Sequence, residues 1–217
     1  MEYGSMLSNS LDYTKKGLWG NWSKWVLLFI SMIIFPLWGG YQWKIYKGES
    51  RLPALENWGE MFINGVKLII VGVIYFIIPW IVSGILSMVL GDVGKIIGFI
   101  VSFIFSLVAS MALIRFARTD SFGEAFNISA IIAHIGKIGW LNYILALIIL
   151  WIVAVVAIIA FVIVVGIASF ILALIPVVGW LLALILIAII ALLIGPFVGV
   201  FEARYFTLIY DSAAAPA

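Results

Sequence analysis

Between Lys137 and Glu202 the chain runs 64 residues without a charged side chain, and Asn142, Tyr143 and Ser169 are the only strongly polar groups in that run. As a helix it would be roughly 96 Å long at ~1.5 Å per residue, against a hydrocarbon core of about 30 Å. It must fold back on itself, and the solvent its side chains demand is lipid. Composition agrees, with 66% hydrophobic and 10% charged residues, where soluble domains carry about a quarter charged. Without water each peptide group must find its partner inside the chain. The expected class is therefore all-α, a polytopic helical membrane protein.

Several functional classes are disfavoured at once. A net charge of +2 with no basic run gives no footprint for nucleic acid. The absence of cysteine removes disulfides, thiolate metal sites and Cys nucleophiles. There is no phosphate-binding glycine loop, no nucleophile elbow, no His-Glu-x-x-His and no dinucleotide fingerprint. His134, the one histidine, has no second ligand at helical spacing. We expect no catalytic, cofactor or metal residues. No polar block is large enough to fold separately, so residues 1–212 read as one integral membrane domain, and 213–217 as a disordered tail or an appended remnant.

The uncharged runs place the spans. Twenty-four uncharged residues separate Lys67 from Asp92 and 19 separate Lys95 from Arg115, predicting a transmembrane hairpin turned at Gly91-Asp92-Val93-Gly94. The long run divides at Ile175-Pro176-Val177-Val178-Gly179-Trp180, which predicts a second, taller hairpin. The first run, residues 25–43, is broken by Pro36 and Gly39-Gly40, and either spans with a kink or returns as a re-entrant segment. If it spans, the 12 Lys and Arg divide 8 against 4; if it returns, 11 against 1. The tendency of basic residues to stay on one side favours return.

Three segments share a pattern of aromatic, Gly, polar, small or Met, large apolar: Tyr3-Gly4-Ser5-Met6-Leu7, Trp58-Gly59-Glu60-Met61-Phe62 and Phe122-Gly123-Glu124-Ala125-Phe126. They predict an internal repeat of three interfacial amphipathic helices, two of them opened by capping boxes, Asn57 with Glu60 and Ser121 with Glu124. The carboxylates Asp12, Glu56, Glu60, Asp120 and Glu124 would form a cluster only if the repeats converge.

Gly94, Gly98, Ser102, Ser106 and Ser110 put a small residue at every fourth position of one predicted span. Small residues let helices in lipid approach closely and share hydroxyl hydrogen bonds. The ridge is expected to be a helix-packing seam, with a homo-oligomeric or pore-lining seam as the alternative. Gly195 and Gly199 repeat the spacing around Pro196. Glu202 and Arg204 point to different sides of their helix, and Asn142 and Tyr143 sit one turn inside a span. Tryptophans gather where spans end, as an aromatic belt does.

At Gly40-Tyr41, Lys44, Lys47, Leu52-Pro53, Trp58, Phe62, Gly65 and Lys67, and again from Arg115-Phe116-Ala117 to Ala125-Phe126, the chain resembles an uncharacterised family of archaeal, mostly methanogen, multi-pass membrane proteins. It is more distantly similar to Yip1-like proteins and to membrane domains attached to glycerophosphodiester phosphodiesterases. The resemblance implies an archaeal cytoplasmic membrane and brings no catalytic residues. The expected function is non-enzymatic: organising the bilayer or binding other membrane proteins, with the lipid bilayer and a homo-oligomer or other membrane proteins as partners. The alternative is a channel or transporter.

Overall fold

Apolar runs bounded by glycine, proline and polar residues become helices throughout the computed structural model, which describes residues 2–175 and 178–214. In chain order these are α1 (Tyr3–Leu18), α2 (Trp22–Ile33), α3 (Phe35–Tyr46), α4 (Trp58–Leu90), α5 (Asp92–Thr119), a 3-10 helix (Phe122–Phe126), α6 (Ile128–Ile138), α7 (Trp140–Ala173), α8 (Gly179–Asp211) and a 3-10 turn (Ser212–Ala214). No strand occurs among the described residues. Among the described residues four helices are long and apolar enough to cross a membrane: α4, α5, α7, and α8 with its terminal turn. The chain is an all-α membrane protein with two candidate hairpins and several shorter apolar helices. Pro176, Val177 and residues 215–217 lie outside the described residues, so the proline expected to divide the long run and the end of the expected tail do too.

The first apolar run is broken, but at a different place from the one its glycines suggest. Helix α2 stops at Ile33, Ile34 leaves the helical region, and Pro36 sits in the first turn of α3, where its missing N–H costs nothing. Each half is ~18 Å long at ~1.5 Å per residue, short of a ~30 Å core. The two halves return to one place. Lys24, at the start of α2, donates to the Leu52 carbonyl, and Lys44, near the end of α3, to those of Ala54 and Glu56. The segment thus folds back on itself as a broken helical pair, with an exposed apolar tip at Ile33, Ile34 and Phe35.

Gly39 and Gly40 lie inside α3 and set its crossing with α4. A Cβ on Gly40 would overlap the Met61 carbonyl, and one on Gly65 would overlap that of Pro36. Only glycines permit this backbone-on-backbone contact. Gly199 likewise leaves the room that the Trp38 ring fills, and Met32 reaches over both Gly195 and Gly199. These glycines flanking Pro196 form the seat on which α2 and α3 rest against α8.

The three motif-bearing starts each fall on the opening of a helix: Tyr3 opens α1, Trp58 opens α4 and Phe122 opens the 3-10 helix. The second runs straight into the span, so its polar residues form the first turns of α4. Neither capping box closes. Asn57 is left-handed at φ 56° and caps nothing, and Ser121 makes no side-chain cap. The working caps are Asn21, which accepts from Lys24 N–H, and Asn127, which accepts from Ala130 N–H.

Burial is concentrated at one end, where α1, α3, the first part of α4, the end of α5, α6, the start of α7 and the end of α8 meet around Tyr41, Phe116, Tyr143 and Tyr205. In α7 only Tyr143, Ala146 and Leu150 are buried. Beyond them the α7–α8 hairpin presents apolar side chains outward on nearly every face.

Candidate functional site

Residues 49–57, an irregular strap without helix or strand, expose backbone carbonyls that need donors. Side chains from four helices supply them. Arg204 of α8 donates to Glu49 O at 3.1 Å, Tyr13 of α1 to Arg51 O at 3.3 Å, Lys24 of α2 to Leu52 O at 3.4 Å, Tyr41 of α3 to Pro53 O at 2.9 Å and Lys44 to Glu56 O at 2.6 Å. Burial pushes the Tyr13 hydroxyl up to about 12, against a smaller downward pull from Arg204, and also raises Tyr41. Burial lowers the Lys24 ammonium. These tyrosines stay neutral donors at any physiological pH.

Arg204 joins α1 to this strap. Its guanidinium is 9% exposed, donates to Asn9 Oδ1 at 3.2 Å and stacks 4.6 Å from the Tyr13 ring. Further pairs tie the other connections down: Lys47 with Asp120, Arg118 with Asp211, and Arg115 with Glu124. The Arg115 hydrogen bond holds the half-buried Glu124 carboxyl below its usual range, helped by Asn127. Asp120 and Glu124 are thus bound to separate cations. Among the described residues no three His, Asp or Glu side chains gather where a metal ion could sit.

His134 donates from Nε2 to the Tyr210 carbonyl at 2.9 Å and stacks on the Tyr210 ring at 3.9 Å, which fixes its tautomer, since a carbonyl can only accept. Burial lowers its pKa most; the Tyr210 bond and Asp211 oppose this, while Arg115 and Lys137 add to it. Asn142 accepts from the Tyr3 hydroxyl at 3.3 Å.

The five ridge residues have three different surroundings. Gly94 and Gly98 lie against α4, where a Cβ would meet the Leu86 backbone or Ser83. Ser83 donates to Gly98 O at 3.0 Å and lies 3.3 Å from the Ser102 hydroxyl. Ser110 turns to α7 and shares a 2.6 Å hydrogen bond with Tyr143, which also bonds to Leu107 O. Ser106, between them, faces an open cleft.

That cleft encloses about 700 Å³ between α5, α7, α8 and α1. Phe103, Leu107, Leu147, Trp151, Ala154 and Phe201 typify its walls, and Leu11 brings α1 to it. Glu202 is the one charged side chain on the lining. Ser106 Oγ is already committed to Phe103 O at 2.7 Å. Such an apolar pocket with one placed polar group suits a ligand that is mostly hydrocarbon.

The sequence does not reveal the strap, because a carbonyl's partner is set by tertiary placement, nor the cleft, whose walls come from helices far apart in the chain. The Gly39-Gly40 pair and Gly65 are the one local signal of the α3–α4 crossing. A family model described as a protein of unknown function (DUF4013) matches residues 25–168. No curated protein and no solved structure matches the chain. The match takes in most of α2, α3, the first hairpin, α6 and most of α7, and leaves α1 and α8 outside it.

Proposed function

On the premise that the chain belongs to the DUF4013 family of proteins of unknown function, we propose that it is a non-enzymatic, multi-pass protein of the cell membrane that organises lipid or docks other membrane proteins through its α7–α8 hairpin. One observation carries this reading. The most apolar windows of α7 and α8 are each only 6% buried within the chain, so acyl chains or other apolar helices must cover the rest. Between Tyr143 and Glu202 this hairpin carries one strongly polar side chain, Ser169, whereas transport normally needs several along a pathway. The resemblance at Gly40-Tyr41 through Lys67 supports an archaeal cytoplasmic membrane, and the three helix-opening motifs support an internal repeat. In this reading one face of the membrane holds all three motif starts.

The test uses the cysteine-free background in liposomes. Cysteines placed singly at the exposed positions Ser8, Asn57 and Ser129 are expected to label from one side and one at Val93 from the other, with ion flux at background. Labelling of the first three from opposite sides removes the topology, and selective flux removes the non-conducting role. The second reading, a channel, is favoured by Ser106, whose exposed side lines the cleft; flux that changes in Ser106→Ala would establish it.

A further inference from the structure

Resting on the membrane-embedded reading, we propose that the cleft between α1, α5, α7 and α8 is a binding site for one membrane amphiphile whose alkyl chain lies along α7 and whose ammonium head group pairs with Glu202. Three observations lead there. The lining follows α7 from Ile144 to Ala157, roughly 20 Å at ~1.5 Å per residue, which exceeds half of a ~30 Å hydrocarbon core and so accommodates a chain from one leaflet. Its about 700 Å³ falls within the ~300–1,000 Å³ of ligand pockets and is too narrow for a helix about 10 Å across to enter along its length.

Charge decides the head group. Among the described residues Glu202 makes no hydrogen bond or ion pair through its carboxylate. The nearest cation along α8, Arg204, is spoken for by Asn9, Glu49 and the Tyr13 ring. Glu202 is exposed at the cleft surface; beside so much hydrocarbon an anion is best matched by a cation, and no other group on the lining supplies one. Glu202 also sits on the stretch of α8 that grips α1, while Phe103, Ala157 and Phe197 line the cleft away from it. The head group therefore belongs at the interfacial α1 end and the tail between α5 and α7. A head group with net negative charge and no cation of its own would meet repulsion at that end.

Native mass spectrometry of the full chain, released from detergent after incubation with phosphatidylethanolamine or phosphatidylglycerol of identical chains, tests the assignment. One retained phosphatidylethanolamine per chain is expected, favoured about tenfold over phosphatidylglycerol. Glu202→Gln should abolish the preference while leaving residual retention of both. Ala157→Trp, an exposed position on the lining, should fill the cleft and abolish retention without loss of helicity. Equal retention of the two lipids, or a preference unchanged in E202Q, overturns the head-group assignment. Retention unchanged in A157W overturns the site, as does a crosslink from Ala157→Cys to a second copy in place of bound lipid. If the retained lipid has changed mass, the site stands and the non-enzymatic role falls; if the chain fails to enter bilayers, the membrane-embedded premise falls.

Discussion

Glycine 40 shows how little room a single residue can command. Gly40→Ala pushes a methyl group into the Met61 carbonyl, and because both partners are backbone, neither can rotate away. We expect a loss of about 1–3 kcal/mol or more in stability, read as a lowered unfolding midpoint in detergent. Gly166→Ala is the control: nothing lies within 4 Å of the added atom, so it should gain up to about 1 kcal/mol from helix propensity alone. His134 gives a second test at this scale. Its folded pKa lies below the ordinary 6.5, so the unfolded chain binds its proton first as pH falls. The stability it supports is complete above pH ~6.5 and declines as pH drops through the folded value. The thermal midpoint should fall over that window, and His134→Gln should flatten the decline.

At the level of elements, α1 is held by its buried face, by the Tyr3 and Tyr13 hydroxyls and by one cation. Arg204 reaches it across 195 residues of chain, and removing a charged donor from two hydrogen bonds costs about 1.5–3 kcal/mol. In Arg204→Met, α1 should loosen while the hairpins persist. A cysteine at Ser10, fully buried in the folded chain, should then label at least several-fold faster, and Arg204→Lys should restore this only in part, lacking the planar fork. The helices themselves were legible in the sequence, because uncharged runs of 19 and 24 residues between Lys and Asp or Arg leave little choice of boundary. Less legible was what the polar residues do. Asn57 and Glu60 have capping-box spacing, yet Asn57 takes a left-handed conformation as the chain turns out of the strap. The Gly39-Gly40 pair reads as a helix breaker, yet it serves a crossing, because the partner at Met61 lies beyond any local window. The even spacing from Gly94 to Ser110 likewise hides three different neighbours.

For the molecule as a whole, polar cross-links and buried aromatic residues gather at one end, while the other end of α7–α8 has few internal supports. With 34 residues, α7 is about 51 Å long as a helix, well beyond a ~30 Å core. It must lean, or the bilayer must thicken around it. In nanodiscs of lengthening acyl chains, a spin-label pair at Val164 and Leu184 is expected to report a steady change in hairpin angle, while a pair at Ser8 and Asn57 stays constant. An angle independent of chain length would remove this expectation. If the angle follows chain length, the overlong hairpin is in effect a gauge: anchored at its foot, it converts the thickness of its surroundings into the width of the gap at its base.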